Sequence, residues 1–331
     1  MVIIVLIVAV GVAAVKMFGS RTFLGPRARP LTSRTFDRTP ARLERGKYLV
    51  STVGCAYCHS PHDWSKPDDP ILPGMEGAGQ QLPYTDLPGS VIAPNLTPDK
   101  ETGAGSWSDD TLARSIREGI GHDGRALFPI MPYSHYRNLP DEDLASIVVY
   151  LRSLPAVNNP LPPTEIIFPV KYFIRNVPQP VTAPVPAPDL SGAAKRGGYL
   201  VNLVGCGDCH TPVDNHRNPI PGMEFSGGQL LQVPWGTVAS ANLTPDPSGI
   251  PYYDEAMFIR AMRTGRVGSR ELNKVMPWTV LRNMTDQDLS SMFAYLKTLR
   301  PVHHRVDNSL HPTLCPVDGA MHGAGDQNRK E

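Results

Sequence analysis

The sequence has few cysteines, no marked excess of charge of either sign, and no long run in which apolar and polar residues alternate. Five cysteines in 331 residues are too few for a small secreted scaffold held together by many disulfides. The formal net charge is +1, and no basic run is interleaved with aromatic residues, so nucleic acid is not expected as a partner. The lack of alternating runs predicts an all-α fold rather than a sheet protein.

The chain begins with an apolar segment, residues 2–19, which only Lys16 interrupts. A membrane-spanning helix needs about 20 residues, and a lysine near its end can reach the membrane surface. The segment therefore predicts a transmembrane anchor that contacts the lipid bilayer. A cleaved signal peptide is the alternative, but it lacks a basic start and a small-residue cleavage site. Five arginines at positions 21–38 favour a cytoplasmic location for the following chain by the positive-inside rule.

An internal repeat organises the rest of the chain. Residues 45–59 match residues 196–210. The matches continue in the same order at residues 73–76 and 221–224, 95–99 and 242–246, 130–133 and 275–278, and 143–152 and 288–297. The simplest interpretation is two copies of one domain.

The repeat and the composition predict the domain boundaries. The predicted parts are an anchor at 1–20, a linker at 21–40, a first domain at 41–156, a proline-rich linker at 157–189, a second domain at 190–302 and a tail at 303–331. The stretch 155–188 holds ten prolines and predicts an extended spacer, although apolar residues within it indicate that part of it lies along a domain or a partner.

Each copy ends in a predicted amphipathic helix. Its apolar positions have helical spacing at Leu144, Ile147, Val148 and Leu151, and again at Leu289, Met292, Phe293 and Leu296. Thr285 is a suitable N-cap for the second of these helices.

The motif Cys-x-x-Cys-His occurs twice, at Cys55, Cys58 and His59 and at Cys206, Cys209 and His210. This is the attachment pattern of haem c. Two thiols on one helical turn can bond the two vinyl groups at one haem edge, and the adjacent imidazole can then ligate the iron. The sequence therefore predicts two covalently bound haem c groups.

Zinc and dithiol chemistry are the alternatives for these cysteines. A zinc ribbon places its Cys-x-x-Cys pairs about 15–20 residues apart, whereas here they are separated by most of a domain. A redox dithiol requires a strand-then-helix context, which the sequence lacks. Two copies of the motif, each followed by histidine, favour haem.

Met131 and Met276 are the predicted sixth ligands of the two irons. Each precedes a proline in the loop before the last helix of its copy. A thioether ligand to haem iron is found in electron-transfer cytochromes and raises the reduction potential. Met75 and Met223 are also paired by the repeat, but they follow the histidines closely and are the alternative ligands.

With these motifs, each copy resembles a class I cytochrome c domain. The segments 95–99, 107–110, 117–119, 131–132 and 144–154 resemble the cytochrome c subunits of membrane-bound alcohol dehydrogenases and related sugar or aldehyde dehydrogenases. The resemblance covers residues 41–157 and 190–302. It implies that the first and last helices of each domain cross, with Gly46 and Gly197 allowing close approach to Tyr150 and Tyr295.

The resemblance also implies haem attachment outside the cytoplasm, which overrides the charge rule. The predicted location is therefore the bacterial inner membrane, with a single N-terminal span and the haem domains on the periplasmic side. Two Met/His haems would leave no open coordination position, so the predicted function is electron transfer without a catalytic site.

The leading prediction is a subunit or partner of a membrane respiratory complex that exchanges electrons with redox subunits or another cytochrome. A cytochrome subunit of a quinoprotein or flavoprotein alcohol or sugar dehydrogenase is the alternative. A dihaem peroxidase and a gas sensor are rivals of other classes.

Lesser expectations concern single residues. Backbone carbonyls near Pro73 and Pro221 are the predicted hydrogen-bond acceptors for the ligating histidines. Asn95 and Asn242 are interpreted as turn-forming residues rather than partners of the haem propionates, and His135 as a surface histidine. Cys315 is interpreted as a free thiol.

Overall fold

The computed structural model describes residues 15, 19–66, 68–84, 87–214, 217–233, 236–268, 270–306, 313–314 and 321–322. Cys315 and most of the predicted tail lie outside these residues, as does nearly all of the apolar segment 2–19.

The first repeat and the segment before it contain six described α-helices. They are α1 (Arg21–Leu24), α2 (Pro40–Thr52), α3 (Cys55–Cys58), α4 (Asp109–Glu118), α5 (Tyr133–Tyr136) and α6 (Asp141–Leu151), with a 3₁₀ turn at Ala104–Ser106. The second half follows the same order after a short linker helix. Its helices are α7 (Val170–Phe173), α8 (Ala193–Leu203), α9 (Cys206–His210), α10 (Glu255–Thr264), α11 (Trp278–Leu281) and α12 (Asp286–Leu296), with a 3₁₀ turn at Ile174–Asn176.

Side-chain caps fix where several of these helices begin. The Thr39 side chain accepts a hydrogen bond from the Arg42 amide at 3.2 Å, just before Pro40 opens α2. The Thr285 side chain accepts from the Asp288 amide at 3.1 Å and caps α12. The predicted N-cap at Thr285 is confirmed.

In each repeat the first helix crosses the last helix at a glycine. A Cβ atom built on Gly46 in α2 would lie 2.7 Å from the Cβ of Tyr150 in α6. A Cβ atom built on Gly197 in α8 would lie 2.9 Å from the Cβ of Tyr295 in α12. Both separations are too short for a real side chain, so glycine is required where the helices touch. The predicted crossing is confirmed in both copies.

Each crossing pair of helices belongs to a separate apolar core. In the first core, Leu49 from α2 packs with Leu144 and Ile147 from α6, and each of them is 1% exposed. In the second core, Leu200 from α8 packs with the α12 residue Leu289. The predicted apolar stripes of α6 and α12 therefore face these cores.

Ten short strands accompany the helices in the described part of the chain, so the predicted all-α class is wrong. They pair antiparallel as β1 (Gln80–Gln81) with β3 (Ile92–Ala93), β2 (Gly89–Ser90) with β4 (Glu165–Ile166), β5 (Leu230–Val233) with β6 (Gly236–Ala239), β7 (Arg266–Val267) with β8 (Arg270–Glu271), and β9 (Thr313–Leu314) with β10 (Met321–His322). Most of these strands have two residues, which is too short for the alternation of apolar and polar residues to appear in a sequence.

No helix in the described ranges is both long enough and apolar enough to cross a bilayer. The chain turns at Gly19, where φ is +78°, and α1 has only four residues. The predicted transmembrane anchor at 1–20 is therefore not supported.

The segment predicted as the first linker, 21–40, is fixed along the first domain. Arg29 makes ion pairs of 2.7 Å with Asp110 and Glu118, two residues of α4 whose side chains are almost fully buried. The Thr32 amide also donates to the Asp110 carboxylate at 2.7 Å. These residues are therefore an ordered part of the first half of the molecule.

The proline-rich linker also packs on the first domain. The carbonyl of Val157 accepts a hydrogen bond from the Asn95 side chain at 2.8 Å, and the Asn159 side chain donates to the Ala78 carbonyl at 2.8 Å. Further along, strand β4 pairs with β2. The prediction that apolar linker residues lie along a domain holds for Ile166, whereas Phe168 is exposed.

Candidate functional site

A glycine turn positions each Cys-x-x-Cys-His motif after the first helix of its repeat. Gly54 precedes α3 with a φ of +89°, and Gly205 precedes α9 with a φ of +72°. Positive φ is readily adopted only by glycine. The turn lets α2 and α8 stop and a new helical turn begin directly at Cys55 and Cys206.

The four motif cysteines are free thiols of intermediate burial. Cys55 packs against the first core and Cys206 against the second. Burial raises the pKa of Cys55 and of Cys206 to about 12, and the pKa of Cys58 and of Cys209 to about 11.

The two motif histidines are held by the same kind of hydrogen bond. The Nδ1 atom of His59 bonds the carbonyl of Pro94 at 2.8 Å, and Nδ1 of His210 bonds the carbonyl of Ala241 at 2.7 Å. Because a carbonyl only accepts, Nδ1 carries the proton and Nε2 keeps its lone pair. Burial lowers the pKa of both imidazoles, outweighing the carbonyl bonds. Each ring is thus neutral, the form that ligates metal.

The predicted acceptors near Pro73 and Pro221 are wrong. Pro94 and Ala241 directly precede the repeated segments 95–99 and 242–246. The repeat marked these segments, but it gave no sign that the residue before each of them faces the histidine.

Asn95 and Asn242 keep these acceptor loops in place. The Asn95 side chain accepts from the Thr97 amide at 2.9 Å, and the Asn242 side chain accepts from the Thr244 amide at 2.9 Å. Each asparagine also donates to a carbonyl beyond the last helix of its repeat, as Asn242 does to Val302 at 2.9 Å. Both are turn-forming residues, as expected.

A mostly apolar cavity lies beside the motif of the second repeat. Its lining includes Cys206, Cys209 and His210 together with Met276. Side chains of the second core, such as Phe258, Leu281 and Leu296, complete the walls. Among the described residues that line this cavity, Met276 is present and Met223 is not. The site thus gathers two thiols, an imidazole and a thioether around an apolar space.

Met131 occupies the corresponding place in the first repeat. The Tyr133 amide donates to the Met131 carbonyl at 2.8 Å, and the Trp278 amide donates to the Met276 carbonyl at 2.7 Å. Both methionines therefore sit in the same tight turn, just before a short helix. Met131 packs against the first core, as Cys55 does.

These residues fit haem c. The thiols are free to form thioether bonds, the Nε2 atoms are free to bind iron, and the cavity walls are apolar, as a macrocycle requires. The cytochrome c family matches residues 43–155. The chain carries a cytochrome c domain. A domain of this family binds haem c covalently, so the predicted cofactor class is confirmed.

Known relatives extend the similarity of this cytochrome beyond the first domain. The fructose dehydrogenase cytochrome subunit of Gluconobacter japonicus is 26% identical over 285 residues, which cover 82% of this chain and 56% of that protein. A diheme cytochrome c-type protein of Cereibacter sphaeroides is 29% identical over 261 residues, or 76% of this chain and 84% of that protein.

Another relative is a larger protein. One of the subunits of a nicotinate dehydrogenase from Pseudomonas putida is 30% identical over 230 residues, or 66% of this chain and 18% of that protein. The cytochrome thus spans less than two thirds of the length of these two dehydrogenase proteins.

Proposed function

We propose that the chain is a dihaem cytochrome c that accepts electrons from a dehydrogenase partner and passes them on. The observation that carries this proposal is the repetition of one site. Both copies of the motif follow a glycine turn, both histidines bond a backbone carbonyl through Nδ1, and both methionines lie in the same tight turn.

In each proposed site the residues have separate roles. Cys55 and Cys58 would form the thioether bonds of the first site and Cys206 and Cys209 those of the second. His59 and His210 would be the fifth ligands, with Met131 and Met276 as the sixth. A haem held in this way supplies a one-electron couple whose potential a thioether ligand raises.

The protein around each site keeps its ligands ready. The carbonyls of Pro94 and Ala241 fix the imidazole rings in the tautomer that ligates iron. At the second site, the apolar walls of the cavity also favour the neutral imidazole. With both axial positions filled, there would be no site for a substrate on the iron.

The relatives support a dehydrogenase as the electron donor. Two of them are named as parts of dehydrogenases, one acting on fructose and one on nicotinate. The respiratory complex, which was the leading prediction from sequence, has no counterpart among the relatives named above. The dehydrogenase alternative is therefore preferred. Covalent haem attachment further supports a location outside the cytoplasm.

Native purification tests this proposal. We expect the tagged chain, extracted from the membranes and soluble fractions of its own cells, to co-purify with a dehydrogenase that carries a flavin or quinone cofactor. The substrate of that enzyme should then reduce the cytochrome within the complex. Co-purification with cytochrome b and iron–sulfur proteins instead, and no reduction by any dehydrogenase substrate, would overturn the proposal.

A further inference from the structure

The two repeats exchange a pair of reciprocal hydrogen bonds. The Tyr48 hydroxyl in α2 of the first repeat donates to the Asp288 carboxylate in α12 of the second repeat. The Tyr199 hydroxyl in α8 of the second repeat donates to the Asp143 carboxylate in α6 of the first repeat at 3.0 Å. Tyr48 and Tyr199 occupy equivalent positions in the repeat, as do Asp143 and Asp288.

Each aspartate is also bound by an arginine of its own repeat. Arg45 pairs with Asp143 through two bonds of 2.8 and 2.7 Å, and Arg196 pairs with Asp288 at 2.5 Å. Both carboxylates lie in the first turn of a helix, where the helix dipole favours a negative charge. Each aspartate is therefore held by an arginine of its own repeat as well as by the tyrosine of the other repeat.

The tyrosines reach these carboxylates from a partly buried interface. Burial and the neighbouring carboxylates raise the pKa of both Tyr48 and Tyr199, so their hydroxyls stay protonated and can donate. Next to Tyr199, the Leu203 side chain is 3% exposed and packs within the core of the first repeat. The Asn283 side chain donates to the Ser51 carbonyl at 3.2 Å. Apolar contact and hydrogen bonds thus act together between the repeats.

Two further contacts bring the candidate haem sites to this interface. His135, in the short helix after Met131, lies 2.7 Å from the carboxylate of Asp208, which stands between Cys206 and Cys209. Lys274 lies two residues before Met276 and makes an ion pair of 2.7 Å with Asp69, in the loop after His59. In both directions, the methionine loop of one repeat touches the chain around or just after the attachment motif of the other.

We propose that Tyr48 and Tyr199 are positioning residues, which lock the two repeats so that their haem sites face one interface and exchange electrons within the chain. This inference rests on the proposed dihaem function. Each tyrosine bond goes to a charged carboxylate, the stronger kind of hydrogen bond. Removing both bonds would loosen the interface between the repeats and lengthen the path between the sites.

The test uses the full-length holoprotein with Tyr48→Phe, Tyr199→Phe and the double variant. The protein is first reduced rapidly by less than one electron per chain. The rate at which this electron then equilibrates between the two haems is measured. A rate that does not depend on protein concentration shows that the transfer is intramolecular. We expect the double variant to slow this rate at least about tenfold, because the loss of two charge-assisted hydrogen bonds lowers the population of the arrangement in which the two haem sites face each other. The single variants should fall between.

Tyr150→Phe is the matched control. The Tyr150 hydroxyl bonds the Glu76 carboxylate of its own repeat at 3.1 Å, so its loss removes a bond of the same kind without touching the interface. We expect its equilibration rate to equal that of the wild type. Pulsed electron paramagnetic resonance of the oxidised protein gives a second readout, in which the inter-haem distance distribution broadens only for the interface variants.

The outcomes separate the two proposals. A wild-type chain that carries fewer than two haems would overturn the dihaem function, and the inference with it. A chain that carries two haems, but whose double variant keeps the wild-type rate and a narrow distance distribution, would overturn the positioning role alone.

Discussion

Gly46 in α2 lies directly against Tyr150 in α6, so close that a Cβ atom on the glycine would stand 2.7 Å from the Cβ of the tyrosine and would meet the backbone of Ser146. We therefore predict that Gly46→Ala forces the two helices apart and lowers the free energy of unfolding by about 1–3 kcal/mol or more, the usual cost of overpacking. Denaturant unfolding of the holoprotein measures this loss.

Gly192 provides the control for this prediction. It precedes α8, its φ is negative, and a Cβ atom built on it meets nothing within 4 Å. Gly192→Ala should cost at most about 1 kcal/mol, because it creates no clash and loses only the preference for glycine over alanine at an N-cap. Equal losses for the two variants would mean that the crossing point does not constrain Gly46.

Arg29 neutralises two buried carboxylates of α4. The side chains of Asp110 and Glu118 are 1% and 2% exposed. Arg29→Met leaves both without this partner, and breaking such a pair typically costs about 3–5 kcal/mol. We expect a loss of this size in urea unfolding, because the removed charge faces carboxylates that water does not reach.

The exposed pair between Arg42 and Glu142 is the comparison. The Glu142 side chain is 67% exposed, and a surface ion pair contributes about 0–1 kcal/mol. Arg42→Met should therefore change stability little. If Arg29→Met is as mild as Arg42→Met, the segment 21–40 is not held on the first domain as the structure indicates.

The contact between His135 and Asp208 predicts a dependence of stability on pH. The hydrogen bond to Asp208 raises the pKa of His135, and this outweighs the lowering effect of burial. A histidine whose pKa is higher in the folded protein stabilises it fully at pH values below the pKa of the unfolded state, about 6.5. This stabilisation is lost as the pH rises through the pKa of the folded state. At about pH 5.5 the wild type should therefore be more stable than the His135→Gln variant, and by about pH 8.5 this difference in stability should have disappeared.

Thermal unfolding of both proteins across this range checks the prediction. An advantage of the wild type that stays constant with pH, or grows as pH rises, would contradict the predicted ion pair.

The predicted sixth ligand of the second site can be tested against its rival. Met276→Ala should lower the reduction potential of one haem and open its iron to an added ligand, because a thioether ligand raises the potential. Met223→Ala should leave the potential and the visible spectrum unchanged, since Met223 does not line the described cavity. A potential that responds to Met223 and not to Met276 would reverse the assignment.

Features that repeat along the chain, or that have the period of a helix, could be predicted from the sequence. The stripe from Leu144 to Leu151 and the cap at Thr285 are local patterns, and the structure bears them out. The glycines at the helix crossings were implied by the resemblance to cytochrome c domains, and the structure confirms them. The motif Cys-x-x-Cys-His pointed to haem c because its spacing matches the chemistry of attachment.

Contacts between residues far apart in the chain could not be predicted in this way. Arg29 and Asp110 are distant in sequence, and nothing in either segment shows that they pair. The strands were missed because two residues carry no period. Tyr48 and Tyr199 were visible as repeated residues, but the repeat could not show that each of them bonds the opposite copy.

The central claim is that one chain carries two covalently bound haem c groups. Intact mass measurement of the denatured protein tests it most directly, because only thioether-linked haem survives denaturation. We predict a mass that exceeds the polypeptide by two haems, and by one haem in a variant with Cys206→Ser and Cys209→Ser. A wild-type chain that carries one haem or none would contradict the account.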